Sequence, residues 1–209
     1  MSSRNVVNRS GRGFRGYFPS LKMKQMIGWE SIQERNAIYL FEFSPGVASY
    51  RGQPELIYYA DGTEFRKYYP DFEITTTGGI SVQIEVKPSS KLLQKKYADK
   101  YRAIAAHYQS LGRHYQILTE KEIQREPLFS NLKKLKRYYR PGNELKGVLN
   151  QIALALKHGP QPQSVLEMDE ATIWRLLALG YLRCDLAAPI TASTLISLPG
   201  GDGDEALLF

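Results

Sequence analysis

Two carboxylates and an ammonium stand where a strand pair could join them: Asp71, Glu85 and Lys87. They belong to YYPDFEITTTGGISVQIEVKP, residues 68–88, which reads as two strands about a glycine turn. Ile80, Val82, Ile84 and Val86 alternate with Ser81, Gln83, Glu85 and Lys87, the pattern of a half-buried strand. Antiparallel pairing across TTTGG would bring Asp71 beside Glu85 and Lys87. Neighbouring carboxylates repel and raise each other's proton affinity unless a cation intervenes. Lys87 could be that cation in a structural ion triad, the commoner outcome for such a pattern. The alternative is a divalent ion on hard oxygen ligands, with the ammonium orienting water and steadying a phosphoryl transition state. His107, His114 and His158 are too dispersed for a zinc site, and there is no cysteine cluster.

These residues need elements to hold them. WESIQERNAIYLFEF, residues 29–43, predicts a helix ended by SPG, and strands are expected near 47–51, 56–60, 65–75 and 80–87. KLLQKKYADKYRAIAAHYQSLG places Leu93, Tyr97, Ile104, Tyr108 and Leu111 on one helical face before Gly112. HYQIL is a short strand, and TEKE from Thr119 has capping-box spacing. The expected division is a flexible basic arm over 1–20, a first α/β domain over 21–140, a small helical unit over 141–198 and a mobile acidic tail over 199–209. Helices at 144–157 and 169–179 followed by GYLRCDL and STLIS would suit a winged helix.

Composition narrows the classes. The chain has 209 residues, 43% of them apolar, as in an ordinary globular protein. No apolar run is long enough for a membrane span, and no secretory leader is evident at the start. One cysteine, Cys184, excludes an internal disulfide and suits a reducing cytoplasm. Residues 1–158 hold 26 Lys and Arg against 14 Asp and Glu, whereas residues 159–209 hold 2 against 7. Such a split suits a basic surface for a polyanion beside an acidic end, although charge alone is equally met by solubility.

The order helix, PD…ExK hairpin, basic helix, strand is that of the PD-(D/E)xK nucleases. GYFPSLKMKQMIGWESIQERNAIYLFEFSPGVASYRGQPELIYY, with YYPDFEI and QIEVKP, resembles the TnsA family, the endonuclease subunit of Tns-type transposons. The resemblance covers roughly residues 14–125, and the short chain is similar to the compact members of CRISPR-associated transposons. It implies a restriction-endonuclease-like α/β fold, a mixed sheet flanked by helices, with a small, mainly helical C-terminal domain. It also implies a catalytic set of Glu34, Asp71, Glu85 and Lys87, with Mg²⁺ (Mn²⁺ as substitute) held by Glu34, Asp71, Glu85 and the Val86 carbonyl. On its own helix Glu34 reads as part of a solvated face, and Gln83 as an exposed strand residue.

Double-stranded DNA at transposon ends is the implied substrate, cut at the 5′ ends, in a bacterial cytoplasm. A TnsB-type DDE transposase and a TnsC-type AAA+ ATPase are the implied partners. Candidate phosphate contacts are Arg12 and Arg15 of the arm, Lys91, Lys95 and Lys96, and Lys133, Lys134, Lys136 and Arg137. A stand-alone restriction-like or repair nuclease, and an inactive DNA-binding scaffold, remain alternatives.

Overall fold

The computed structural model describes residues 14–140, 146–200, 205 and 207–209. Arg12 lies outside them. The chain enters through a hairpin of β1 (Gly16–Ser20) and β2 (Gln25–Trp29), antiparallel with Gly16 opposite Trp29. The end of the expected basic arm is therefore a paired strand, because Phe18 and Ile27 bury in the core. Helix α1 (Ile32–Phe43) starts three residues later than WESIQERN suggests, since Trp29 is claimed by β2. Its buried face, Ala37, Ile38, Leu40 and Phe41, is fully covered.

Strand β3 (Val47–Gly52), the ribbon β4 (Ile57–Asp61) and β5 (Glu64–Tyr68), then β6 (Phe72–Thr76) and β7 (Ser81–Val86) follow. β6 and β7 pair antiparallel as expected, with Phe72 opposite Ile84 and Ile74 opposite Val82. Gly79, at φ +81°, takes the left-handed turn position that residues with a Cβ disfavour. The short α2 (Ser89–Leu92) and long α3 (Lys95–Ser110) carry the chain over to β8 (His114–Leu118), which runs parallel to β7. The sheet order β3-β6-β7-β8 is thus mixed, with helices on its faces.

This crossover overturns the half-buried reading of β7. Parallel strands are covered on both faces, and Gln83 and Glu85 are as buried as Ile84 and Val86. One face meets α1 through Phe41, Phe72, Ile74, Ile84 and Val86. The other meets Tyr101, Ile104 and Tyr108 of α3 together with Ile57, Tyr59 and Tyr68 of the ribbon. Leu93, expected on the buried stripe of α3, sits 87% exposed where α2 and α3 break.

Thr119 caps α4 (Glu120–Ile123) in a full capping box with Glu122, and α5 (Leu128–Tyr138) follows. Beyond it come α6 (Lys146–Ala155), β9 (Gln161–Pro162), a 3-10 turn (Gln163–Leu166), α7 (Glu170–Ala178) and β10 (Leu195–Ile196). β10 pairs with β9, and Ser197 bridges to Arg183. Helix, short strand, turn, helix and one closing strand with an isolated bridge make up this C-terminal unit. It is not a detached unit: its Leu166, Ile173, Trp174, Leu182 and Ile196 share one buried cluster with α1 and α5. Tyr138 of α5 stacks on Trp174 of α7 at 6.4 Å.

The expected mobility of the whole tail over 199–209 also needs correction. Phe209 meets the Phe41 ring edge-on at 5.6 Å, Leu208 N–H donates to Ser44 Oγ (3.1 Å), and Arg125 holds the Leu208 carbonyl (3.0 Å). Leu208 and Phe209 find apolar cover on their own chain, while 201–204 and 206 of the tail lie outside the described residues.

Candidate active site

The β6–β7 pairing sets Asp71 across from Glu85 at one end of the sheet. Asp71 Oδ2 accepts the Val86 N–H at 2.8 Å, which fixes the carboxylate against β7. Lys87 Nζ lies 2.9 Å from Glu85 Oε1 and 3.6 Å from Asp71 Oδ2. One ammonium therefore sits between two carboxylates, as the sequence spacing predicts.

The surroundings differ from an exposed triad. The Glu85 side chain is 3% exposed, Asp71 19% and Lys87 30%, so the cluster opens outward through its lysine. Tyr68, at the end of β5, donates to Glu85 Oε2 (2.5 Å), and Tyr101 of α3 donates to Oε1 (2.8 Å). Sequence reasoning passed over both tyrosines. Neither has a local spacing to Glu85; each reaches it only because the ribbon and α3 cover the same sheet face.

Electrostatics mark the same spot. Burial, then the charge of Glu85, holds the Asp71 carboxyl well above the usual carboxylate range, with Lys87 opposing. Burial alone would lower the Lys87 ammonium, but Asp71 and Glu85 more than compensate and raise it, so the lysine stays charged. Burial, then the Glu85 charge, pushes Tyr68 and Tyr101 up, so both hydroxyls keep their protons and remain donors.

Glu34 takes a local role in this conformation. Ser31 is the α1 N-cap; its Oγ accepts the Glu34 N–H (3.1 Å), and the Glu34 carboxylate accepts from Ser31 Oγ (3.0 Å) and the Glu30 N–H (2.7 Å). Burial raises its proton affinity, and the nearby Lys87 charge counters that. Glu34 thus serves as a cap beside the cluster, with its charge felt by both Asp71 and Lys87.

A hard cation such as Mg²⁺ needs one or two carboxylates, the rest of its sphere being water and phosphate oxygens. Asp71 and Glu85 meet that need. Among the described residues no three His, Cys, Asp or Glu side chains converge as a ligand group, consistent with Glu34 being turned into its cap. Val86 touches Asp71 through its N–H. The donor set fits a two-carboxylate site.

The basic candidates separate. Lys91, Lys95 and Lys96 are exposed near the start of α3. Lys134 pairs with Glu170 (2.5 Å) and covers Trp174, and Lys136 lies over Phe18 and Tyr139. Both are engaged by neighbours at the surface, leaving Lys133 and Arg137 as the more exposed pair of α5. Arg15 is half-buried at the start of β1. Gln83, 1% exposed rather than on the surface, donates Nε2–H to Glu73 (2.9 Å). Among the described residues no helix is long and apolar enough to cross a membrane.

No curated protein matches the chain. Residues 44–120 match the family model described as TnsA-like endonuclease N terminal. The matched stretch runs from the end of α1 through β8 and contains Asp71, Glu85 and Lys87, while Glu34 precedes it. Sheet and family match agree that residues 44–120 are similar to the N-terminal domain of TnsA-like endonucleases.

Proposed function

We propose that this protein is the metal-dependent DNA endonuclease of a heteromeric transposase, cutting the strand at the 5′ ends of the transposon. The observation that carries the reading is Lys87 Nζ lying between Asp71 and Glu85 in a cluster that opens outward. Asp71 and Glu85 would hold the cation, joined by Glu34 and by the Val86 carbonyl. When bound, Mg²⁺ supplies positive charge to the scissile phosphate and acidifies attacking water. Mn²⁺ would substitute.

Lys87 is the residue that meets developing charge. Its ammonium is held charged by its neighbours, so it can steady a phosphate whose oxygens gain negative charge, or orient the attacking water. The buried tyrosines and α1 keep bulk water from the inner side of the carboxylates. Lys91, Lys95, Lys96, Lys133 and Arg137 are placed to meet the DNA backbone. A TnsB-type DDE transposase would process the 3′ ends, and a TnsC-type AAA+ ATPase would bind the acidic C-terminal segment, residues 159–209.

The test is strand-specific nicking of a duplex bearing a transposon end, by wild type and Asp71→Ala protein, with and without the transposase partner. Cleavage that needs Mg²⁺, Asp71 and the partner supports the reading. Cleavage of any duplex by the purified protein alone would instead make it a stand-alone nuclease.

A further inference from the structure

A carboxylate offers about four acceptor positions, and Glu85 has committed three of them within the protein. Oε1 takes the Tyr101 hydroxyl at 2.8 Å and the Lys87 ammonium at 2.9 Å; Oε2 takes the Tyr68 hydroxyl at 2.5 Å. We infer that Tyr68 and Tyr101 are positioning residues, gripping one oxygen each so that the Glu85 carboxylate is held in a fixed plane with one acceptor position on Oε2 left for a cation. The inference rests on the nuclease reading given above.

Two further observations favour a grip over incidental contact. The two hydroxyls come from different elements, β5 and α3, so the carboxylate cannot swing with either alone. Both rings are buried, Tyr68 at 5% and Tyr101 at 3% exposure, and Lys100 of α3 lies over both, 5.4 Å and 5.0 Å from their centroids. Tyr115, whose hydroxyl stands 3.2 Å from that of Tyr68 and whose ring stacks on Tyr108 at 5.3 Å, makes no hydrogen bond to Glu85 and so stands outside the grip. A carboxylate already oriented loses less freedom when it takes up a cation, and groups that orient a ligand commonly set affinity by about 10–100-fold.

The experiment measures Mn²⁺ binding by the full chain without DNA, as the Mn²⁺ concentration giving half the maximal rise in melting temperature, for Tyr68→Phe, Tyr101→Phe and Tyr115→Phe, each also combined with Glu85→Gln. Tyr68→Phe and Tyr101→Phe should weaken Mn²⁺ binding by about 10-fold, and should raise the Mg²⁺ requirement of cleavage in parallel. Tyr115→Phe, which touches Tyr68 but not Glu85, should change little. In the Glu85→Gln protein the tyrosine changes should add no further loss, because their only route to the cation is gone. Tyr101→Phe carries the test if Tyr68→Phe fails to fold. Folded variants with wild-type Mn²⁺ binding, or a loss that persists beside Glu85→Gln, overturn the inference alone. A wild-type protein that neither binds Mn²⁺ nor nicks DNA overturns the nuclease reading first, and this one with it.

Discussion

Two glutamates are buried almost equally, Glu42 at 3% and Glu85 at 2%, and each is held by two tyrosine hydroxyls. They do different work. Glu42, near the end of α1, accepts from Ser20 Oγ, from the Leu21 and Lys22 N–H groups, and from Tyr50 and Tyr139. The Lys22 ammonium beside it closes the α1 end by donating to the Phe41, Ser44 and Val47 carbonyls. No second carboxylate competes there. Glu85 has a second carboxylate, Asp71, beside it and only one lysine for the two. Burial with tyrosines therefore marks a satisfied glutamate; unbalanced negative charge marks the one that invites a cation.

The widest gap between the two sites should appear on removing a carboxylate. Asp71→Ala should abolish nicking, by at least about 10³-fold, while the protein still folds, because it strands only the Val86 N–H, at a cost of about 1–3 kcal/mol. Glu42→Ala should instead prevent folding. It strands five donors at roughly 1–3 kcal/mol each, comparable with the whole stability of a domain. Nicking by folded Asp71→Ala protein, or a stable Glu42→Ala protein, would erase the distinction.

The lysines sharpen it next. Lys87→Ala should cut the nicking rate by about 10²–10³-fold and leave DNA affinity within about twofold, since its charge acts mainly in the transition state. A loss mainly in affinity would make Lys87 a plain phosphate contact.

Truncation after Arg140 comes third. The sequence suggested a separable nuclease domain, but α7 and the Leu208–Phe209 end cover α5 and α1. Uncovering the buried Leu132 and Leu135 costs about 1.5–3 kcal/mol for each side chain fully exposed. Circular dichroism should therefore find the truncated chain largely unfolded or aggregated, its ATPase docking lost with its fold.

The smallest effect concerns Asp71 itself. Its folded proton affinity is raised above the unfolded value, so its ionised form costs the cation-free protein stability. That cost is absent below the unfolded carboxylate range and grows as pH rises through the folded value. Asp71→Asn keeps an acceptor for the Val86 N–H and removes the charge. In chelator, its melting temperature should exceed wild type by roughly 2–4 °C at neutral pH, and the difference should vanish near pH 4. Equal melting curves at all pH values would mean that Lys87 already balances the pair.

Local signals were legible and long-range ones were not. The β6–β7 hairpin, its TTTGG turn and the Thr119 capping box are written within a few residues each, and the structure has all three. The Asp71–Glu85–Lys87 meeting followed from the hairpin alone. Tyr68 and Tyr101 left no trace in spacing, because their approach to Glu85 depends on the crossover and on the ribbon's seat. The same crossover hid the burial of Gln83 and Glu85, and the tertiary cover of α5 hid the continuity of the C-terminal unit.

The parallel pairing of β7 with β8 also sets an order in time. β6 and β7 are neighbours in sequence and can close early, bringing Asp71, Glu85 and Lys87 together while water still bathes them. β8 can join only once the chain that becomes α2 and α3 is carried across the sheet, and Tyr101 comes with it. Glu85 is thus dehydrated when its hydroxyl donors reach it, and no stage of folding has to bury that charge alone. Pulsed hydrogen exchange during refolding should find β6 and β7 amides protected before those of β8.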